Sequence, residues 1–220
     1  YLLWRGDLSF EQAPFNDVDN LVLSQLAYVD WKGIIPSMGS KQRITLSVAA
    51  EVFFDLYSEE QLAKVKSFIS SAPFFMKKVA KTARFKDIWL SEYVDHIDES
   101  AEKQFSAFHV ELGDGTFYIA FRGTDDTIIG WKEDFNMSFI MPVPSQIEAV
   151  EYLNETIRIR TGKIRMGGHS KGGNLAIYAA VKAGPRVRRK IVEIYNNDGP
   201  GFDQNMIHSE EYQQMLPLIK

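Results

Sequence analysis

The apolar positions of this chain change their period along its length. In the first part the spacing is helical. "NDVDNLVLSQLAYVDW" starts with the capping residues Asn16 and Asp17 and puts Val18, Leu21, Val22, Leu26 and Val29 on one face. "TLSVAAEVFFDLYS" predicts a second helix with Thr45 as its cap. "SEEQLAKVKSFISSA" predicts a third, beginning at Ser58 with acids in its first turn, and "APFFMKKVAKTARF" a fourth opened by Pro73. Then the pattern turns extended in "KDIWLSEYVDHID", and "KQFSAFHVEL" and "TFYIAFRGT", joined by "GDG", read as a hairpin. A helix in "SQIEAVEYLNETIRIRT", a strand in "KIRMGGH", a helix in "KGGNLAIYAAVKA" and a strand in "KIVEIYNN" follow. "DQNMIHSEEYQQMLPLIK" reads as the last helix. This order predicts an α/β fold in one domain: a helical part over residues 1–85, packed on an edge or forming a cap, and a mostly parallel sheet with flanking helices over 86–220.

Composition changes this picture little. The 220 residues are 45% hydrophobic and 25% charged, which excludes a disordered or fibrous chain. A net charge of −4 gives no argument for nucleic acid, and the one basic cluster, "KAGPRVRRK", reads as a solvated helix end and loop. No apolar run approaches the roughly 18 residues of a transmembrane segment. With no cysteine there is neither a disulfide framework nor a thiolate metal site, and a reducing, cytoplasmic compartment fits. The chain opens on Tyr1 rather than Met and stops inside an apparent helix, so the expectation is of trimmed ends and of strands missing from the C-terminus.

The candidate chemistry lies in "KIRMGGHSKGGNLAIYAA". Gly168-His169-Ser170-Lys171-Gly172 matches the pattern Gly-x-Ser-x-Gly between a predicted strand and a predicted helix. A nucleophilic serine needs that setting: a sharp turn exposes its hydroxyl, and flanking positions without side chains let strand and helix approach. A glycine-rich turn with Ser170 as a helix cap is the alternative. At a helix N-terminus the Lys171 N–H would face the oxygen of a bound ester, as half of an oxyanion hole.

A second constellation is "AFRGTDDTIIGWKEDF". Phe121-Arg122-Gly123-Thr124, then a short segment, then Trp131-Lys132-Glu133-Asp134, resembles fungal-type (class 3) triacylglycerol lipases over about half the chain. A narrower resemblance is to a bacterial family of lipase-like α/β-hydrolases of unassigned function. It rests on "WRGDLSFEQAPFNDVDNLVLSQLAYVDW", "GHSKGGNLA" and "DGPGF". These resemblances imply an α/β-hydrolase-like fold with Ser170 as nucleophile. They imply an oxyanion hole from Lys171 and from the backbone N–H and hydroxyl of Thr124, and Asp134, after Trp131, holding the Thr124 loop. The segment from Gly123 to Trp131 would be a lid, though "DDTIIG" is short and less apolar than a lipid-facing lid.

Chain order in such enzymes runs Ser, acid, His. Asp198, past the strand "KIVEIYNN" and before Gly-Pro-Gly, is the candidate acid; a turn aspartate is its alternative. His96 and His109 precede the serine, and His169 adjoins it in a packing or hydrogen-bonding position. His208 alone obeys the order, on a polar helix that does not obviously return to Ser170, so the base is expected in a loop beyond Lys220. The expected function is a serine hydrolase of a small-molecule ester or lipid, needing no metal and no organic cofactor. A hydrolase-fold protein that binds a partner or ligand without catalysis is the second reading, and an amidase or peptidase would share the chemistry. The phenylalanines Phe10, Phe15, Phe53, Phe54, Phe74 and Phe75 read as core rather than acyl pocket.

Overall fold

The computed structural model describes residues 1–64, 70–125, 127–158 and 160–220. The end of the predicted third helix, residues 65–69, lies outside them. In chain order the elements are α1 (Leu2–Arg5), α2 (Asp17–Leu26), β1 (Ile44–Thr45), α3 (Leu46–Leu56), α4 (Glu59–Lys64) and α5 (Ala72–Val79). There follow β2 (Trp89–Asp98), β3 (Lys103–Glu111), β4 (Phe117–Phe121), α6 (Ile128–Asn136), α7 (Pro144–Ile157) and β5 (Ile164–His169). The last are α8 (Lys171–Lys182), α9 (Pro185–Arg188), β6 (Ile191–Asn197), α10 (Gln204–Ile207), α11 (Glu210–Met215) and a 3-10 turn, Leu216–Leu218.

Among the described residues the strands form one six-stranded sheet in the order β1-β2-β3-β4-β5-β6, a mixed α/β fold. The expectation of a mostly parallel sheet is corrected. β1, β2, β3 and β4 pair antiparallel, and only β4–β5 and β5–β6 are parallel. Connection length decides this. The short turns after β2 and β3 permit only antiparallel neighbours, whereas a parallel neighbour needs a crossover. α6 and α7 supply it before β5, and α8 and α9 before β6.

Side chains alternate between two cores. Phe108, Val110, Tyr118 and Ala120 face a cluster built with α2, α3 and α5; Ala107, Ile119, Phe121 and Met166 face one built with α7 and α8. The N-terminal part therefore covers a whole face of the sheet and also adds β1 to its edge. Phe10, Phe15 and Phe53 are core residues, as the sequence suggests.

Two helical expectations are corrected. α2 has the expected cap, with Asn16 and Asp19 forming a capping box. Its buried face is rotated, however: Val18 and Leu21 are exposed, while Asp19, Asn20 and Ser24 are buried beside Val22, Leu23 and Leu26. Apolar periodicity misplaces the face because those three polar residues have partners inside. Asp19 pairs with the fully buried Arg84, and Asn20 and Ser24 join a network under the sheet's end. The last helix is two short ones. Asp203 caps α10 by accepting from Met206 N at 2.7 Å, and Ser209 caps α11 by accepting from Tyr212 N at 3.3 Å. Beyond Met215 the α-helix gives way to the 3-10 turn, and the chain then becomes extended. Ile219 pairs in parallel with Ile194 of β6, and Lys220 exchanges backbone hydrogen bonds with Ile194 and Asn196.

Candidate active site

Ser170 is the junction of β5 and α8, with φ 55° and ψ −130°. A non-glycine residue there is strained, and only a well-braced turn keeps it so. The bracing is backbone: Ser170 N donates to Asn197 O at 2.9 Å, and Gly173 N donates to Ser170 O at 2.9 Å. The flanking glycines allow the close approach. A Cβ on Gly168 would stand 2.4 Å from the Phe121 carbonyl oxygen, and one on Gly172 only 2.3 Å from the same atom. The half-buried Ser170 thus stands at the carboxyl ends of parallel strands, against the end of β4.

The chain leaving β4 turns at Gly123 to Thr124, which is 7% exposed. The Thr124 hydroxyl donates to Asp134 Oδ2. In this arrangement the hydroxyl hydrogen points at Asp134 rather than into the site, where the Thr124 backbone N–H is the remaining donor. This hydrogen bond ties the Thr124 loop to α6. Burial pushes the Asp134 carboxyl above the usual range, against the opposing pull of the Thr124 hydrogen bond and the Lys171 charge. The Lys171 N–H is the first in α8 and has no acceptor within its helix. Trp131, 60% exposed, lies one turn before Asp134 on α6.

The Lys171 side chain does not reach solvent. It is 1% exposed, and Nζ donates to Gln104 O at 2.9 Å, Gln104 Oε1 at 3.1 Å and Glu133 Oε2 at 2.9 Å.

Asp198 follows β6 directly beside Ser170, since His169 pairs with Asn197 in the register. It adopts φ 58° and is exposed. Its turn is held by Asn196 Oδ1, which accepts from Gly199 N at 2.9 Å. Asn174, one turn into α8, donates to the carbonyls of Pro200 and Gly201 at 3.0 and 3.3 Å, and so fixes the "DGPGF" loop. Between that loop and the segment after α6 lies a cavity of ≈ 370 Å³, walled by Met137, Phe139, Ile140, Met141 and Phe202 with Asn174 at its inner side.

The four histidines are spread apart. His96 is exposed and pairs with Glu148. His109 is completely buried with both ring nitrogens unpartnered, and burial, helped by the Arg160 charge, lowers its pKa to about 3. His169 is exposed, and its Nδ1 lies 2.8 Å from the Tyr28 hydroxyl. Burial raises the Tyr28 pKa, so the phenol keeps its proton and can donate it to Nδ1. His208 is exposed on the C-terminal side of α10, with Nδ1 2.8 Å from the Gln204 carbonyl of its own turn. Among the described residues no hydrogen bond joins Asp198 to a histidine. The structure therefore brings Ser170, Lys171, Thr124, Asp134 and Asp198 to one end of the sheet, and leaves His208 unattached to them.

Three side chains at this end escape a reading of the sequence. Glu133 and Gln104 surround the Lys171 ammonium. Asn20, on α2, donates to Asn197 Oδ1 at 2.8 Å and accepts from the Tyr118 hydroxyl at 2.7 Å. The only signal for the first pair is an acid beside Asp134 and a lysine where only an amide is needed; for Asn20 it is a polar residue inside an apolar helical run.

Among the described residues no group of three or more His, Asp or Glu could hold a metal ion, and no helix is long and apolar enough to cross a membrane. Residues 79–220 match the family model described as Mbeg1-like, and the chain belongs to this lipase-like family. No curated protein and no solved structure matches the chain.

Proposed function

We propose that the protein is a serine hydrolase of α/β-hydrolase type that cleaves a carboxylic ester, with Ser170 as the nucleophile. The observation that carries this reading is the Ser170 backbone at φ 55° and ψ −130°, a strained conformation with no use in a mere helix cap. Ser170 Oγ attacks the acyl carbon while a base takes its proton. The oxyanion accepts from the Lys171 and Thr124 amides. Collapse breaks the bond to the leaving alkoxide, which takes the proton back from the base, and water then releases the acyl group by the same steps. The resemblance of Phe121-Arg122-Gly123-Thr124 and Trp131-Lys132-Glu133-Asp134 to fungal-type lipases, and the match to the Mbeg1-like family, support the same chemistry.

Asp198 is the proposed acid. His208, which bonds its own turn, is the histidine of this chain that follows the order serine, acid, base. The unpaired, exposed Asp198 favours a second reading, a hydrolase-fold protein that binds a ligand without cleaving it. A fluorophosphonate probe separates the two, with Ser170→Ala as control. Labelling that the substitution abolishes supports an activated Ser170. Absence of labelling moves the protein to the binding reading.

A further inference from the structure

The lysine inside the serine motif has a partner that no part of the hydrolase chemistry requires. All three Nζ protons of Lys171 are used, two by Gln104 and one by Glu133. Glu133 is fully buried and equally well satisfied. Oε2 accepts from Lys171 and from Gln104 N at 3.0 Å, and Oε1 accepts from Ser145 N at 2.9 Å. Four elements therefore meet at one ion pair: the starts of β3, α7 and α8, and the middle of α6. The approach of α6 is close. A Cβ on Gly130 would stand 2.8 Å from Gln104 Oε1 and 2.9 Å from Thr124 Cγ2. The next residue of α6, Asp134, holds the Thr124 hydroxyl.

We propose that the buried Glu133–Lys171 pair is the positioning device of the oxyanion hole, locking α6 to the Ser170 turn so that the Lys171 and Thr124 amides are aligned before substrate arrives. Consecutive carboxylates on one helix carry the two halves: Glu133 grips the residue that supplies one amide, and Asp134 grips the residue that supplies the other. α6 is then a fixed clamp and not a swinging lid, since lifting it would separate two buried charges whose hydrogen bonds are otherwise complete. Glu133 and the Lys171 side chain touch no substrate. They act through the backbone N–H groups, whose alignment decides how well an oxyanion is held.

This inference rests on the hydrolase reading, and its test separates the two. Wild type, Ser170→Ala, Glu133→Asp and the double variant Glu133→Gln/Lys171→Met are assayed on p-nitrophenyl esters, with thermal unfolding recorded for each. Glu133→Asp keeps both charges and withdraws the carboxylate by one methylene. The double variant removes both charges and keeps one of the two acceptor oxygens, for the Gln104 or the Ser145 N–H. Expected are folded proteins whose kcat falls about tenfold for Glu133→Asp and up to about a hundredfold for the double variant, with KM within about twofold of wild type. A purely structural pair would lower the unfolding temperature and leave the kcat of the folded protein unchanged. If wild type shows Ser170-dependent turnover and folded Glu133→Asp keeps kcat within about twofold, the inference is overturned and the hydrolase reading stands. If wild type shows none, the hydrolase reading fails and the inference falls with it. Should the double variant not fold, Glu133→Asp decides alone.

Discussion

Asn20 Nδ2 donates to Asn197 Oδ1 at 2.8 Å, joining the first long helix to the end of the last strand across 177 residues of sequence. Asn197 donates in turn to Gly168 O at 2.9 Å and to Ser24 Oγ at 3.0 Å, and Tyr118 donates to Asn20 Oδ1. A closed set of buried polar groups thus braces the strand ends that carry Ser170. Asn20→Ala leaves the Tyr118 hydroxyl and the Asn197 amide short of partners. The expected loss is about 1–3 kcal/mol in chemical denaturation. A loss under about 0.5 kcal/mol, within the range of a surface substitution, would show that the network contributes nothing.

The Ser170 conformation suits glycine better than serine. Ser170→Gly is expected to unfold at a higher temperature than Ser170→Ala, by about 1–3 kcal/mol of released strain. Both substitutions should abolish fluorophosphonate labelling. Equal stabilities would mean that the turn stores no strain.

Asp198 separates an acid from a turn residue. Asn tolerates the left-handed backbone at φ 58° and lacks the carboxylate, so Asp198→Asn keeps the fold under either role. If Asp198 orients the base, kcat falls by about three to four orders of magnitude. Turnover unchanged in Asp198→Asn assigns the residue to the turn alone.

His109 should make stability depend on acid. Its pKa falls from 6.5 to about 3 on folding, because the buried ring has no partner for a charged form. A depressed folded value means that the unfolded chain binds the proton first. The contribution is therefore complete above about pH 6.5 and is lost as the pH falls from there to about 3, at up to ~1.4 kcal/mol per pH unit. His109→Phe keeps a ring edge-on to Tyr152, whose centroid lies 5.5 Å away, and removes the titration. Urea midpoints measured from pH 7 to 3 should diverge, with wild type losing more; parallel curves would show that His109 does not titrate this way.

Arg84 and Asp19 form a pair with both side chains fully buried, and Arg84 also donates to the carbonyls of Leu8, Ser9, Ala13 and Pro14. Arg84→Met strands Asp19 and frees those carbonyls. The expected cost is about 3–5 kcal/mol in denaturant unfolding, with the N-terminal segment exposed to protease. A variant within about 1 kcal/mol of wild type would show that the segment is held by apolar packing instead.

Much of the frame was legible in the chain itself. Period-2 stretches became β2, β3 and β4, and the Asn16 cap and the Pro73 start lie where local chemistry puts them. The setting of Gly168 to Gly172 between strand and helix was legible too, because a strand's alternation and a helix's apolar face are properties of neighbouring residues. The β3–β4 hairpin and the parallel strands of the later half were legible, but the parallel share of the whole sheet was overestimated, since the partners of β1 and β2 depend on which strands meet. The α2 face was misread because Asp19, Asn20 and Ser24 count as surface residues until Arg84, Asn197 and Tyr118 are found beside them.

By itself the sequence determined the local elements, their order and the turn that holds Ser170, because backbone preference and side-chain period act over a few residues. Only the tertiary structure decided that Lys171 is buried against Glu133, that the Thr124 hydroxyl donates a hydrogen bond to Asp134, that Asp198 follows the strand paired with the one that ends at Ser170 and that His208 bonds its own turn. Those relations join residues distant in the chain, and a hydrogen bond or an ion pair exists only where folding places donor and acceptor within about 3 Å.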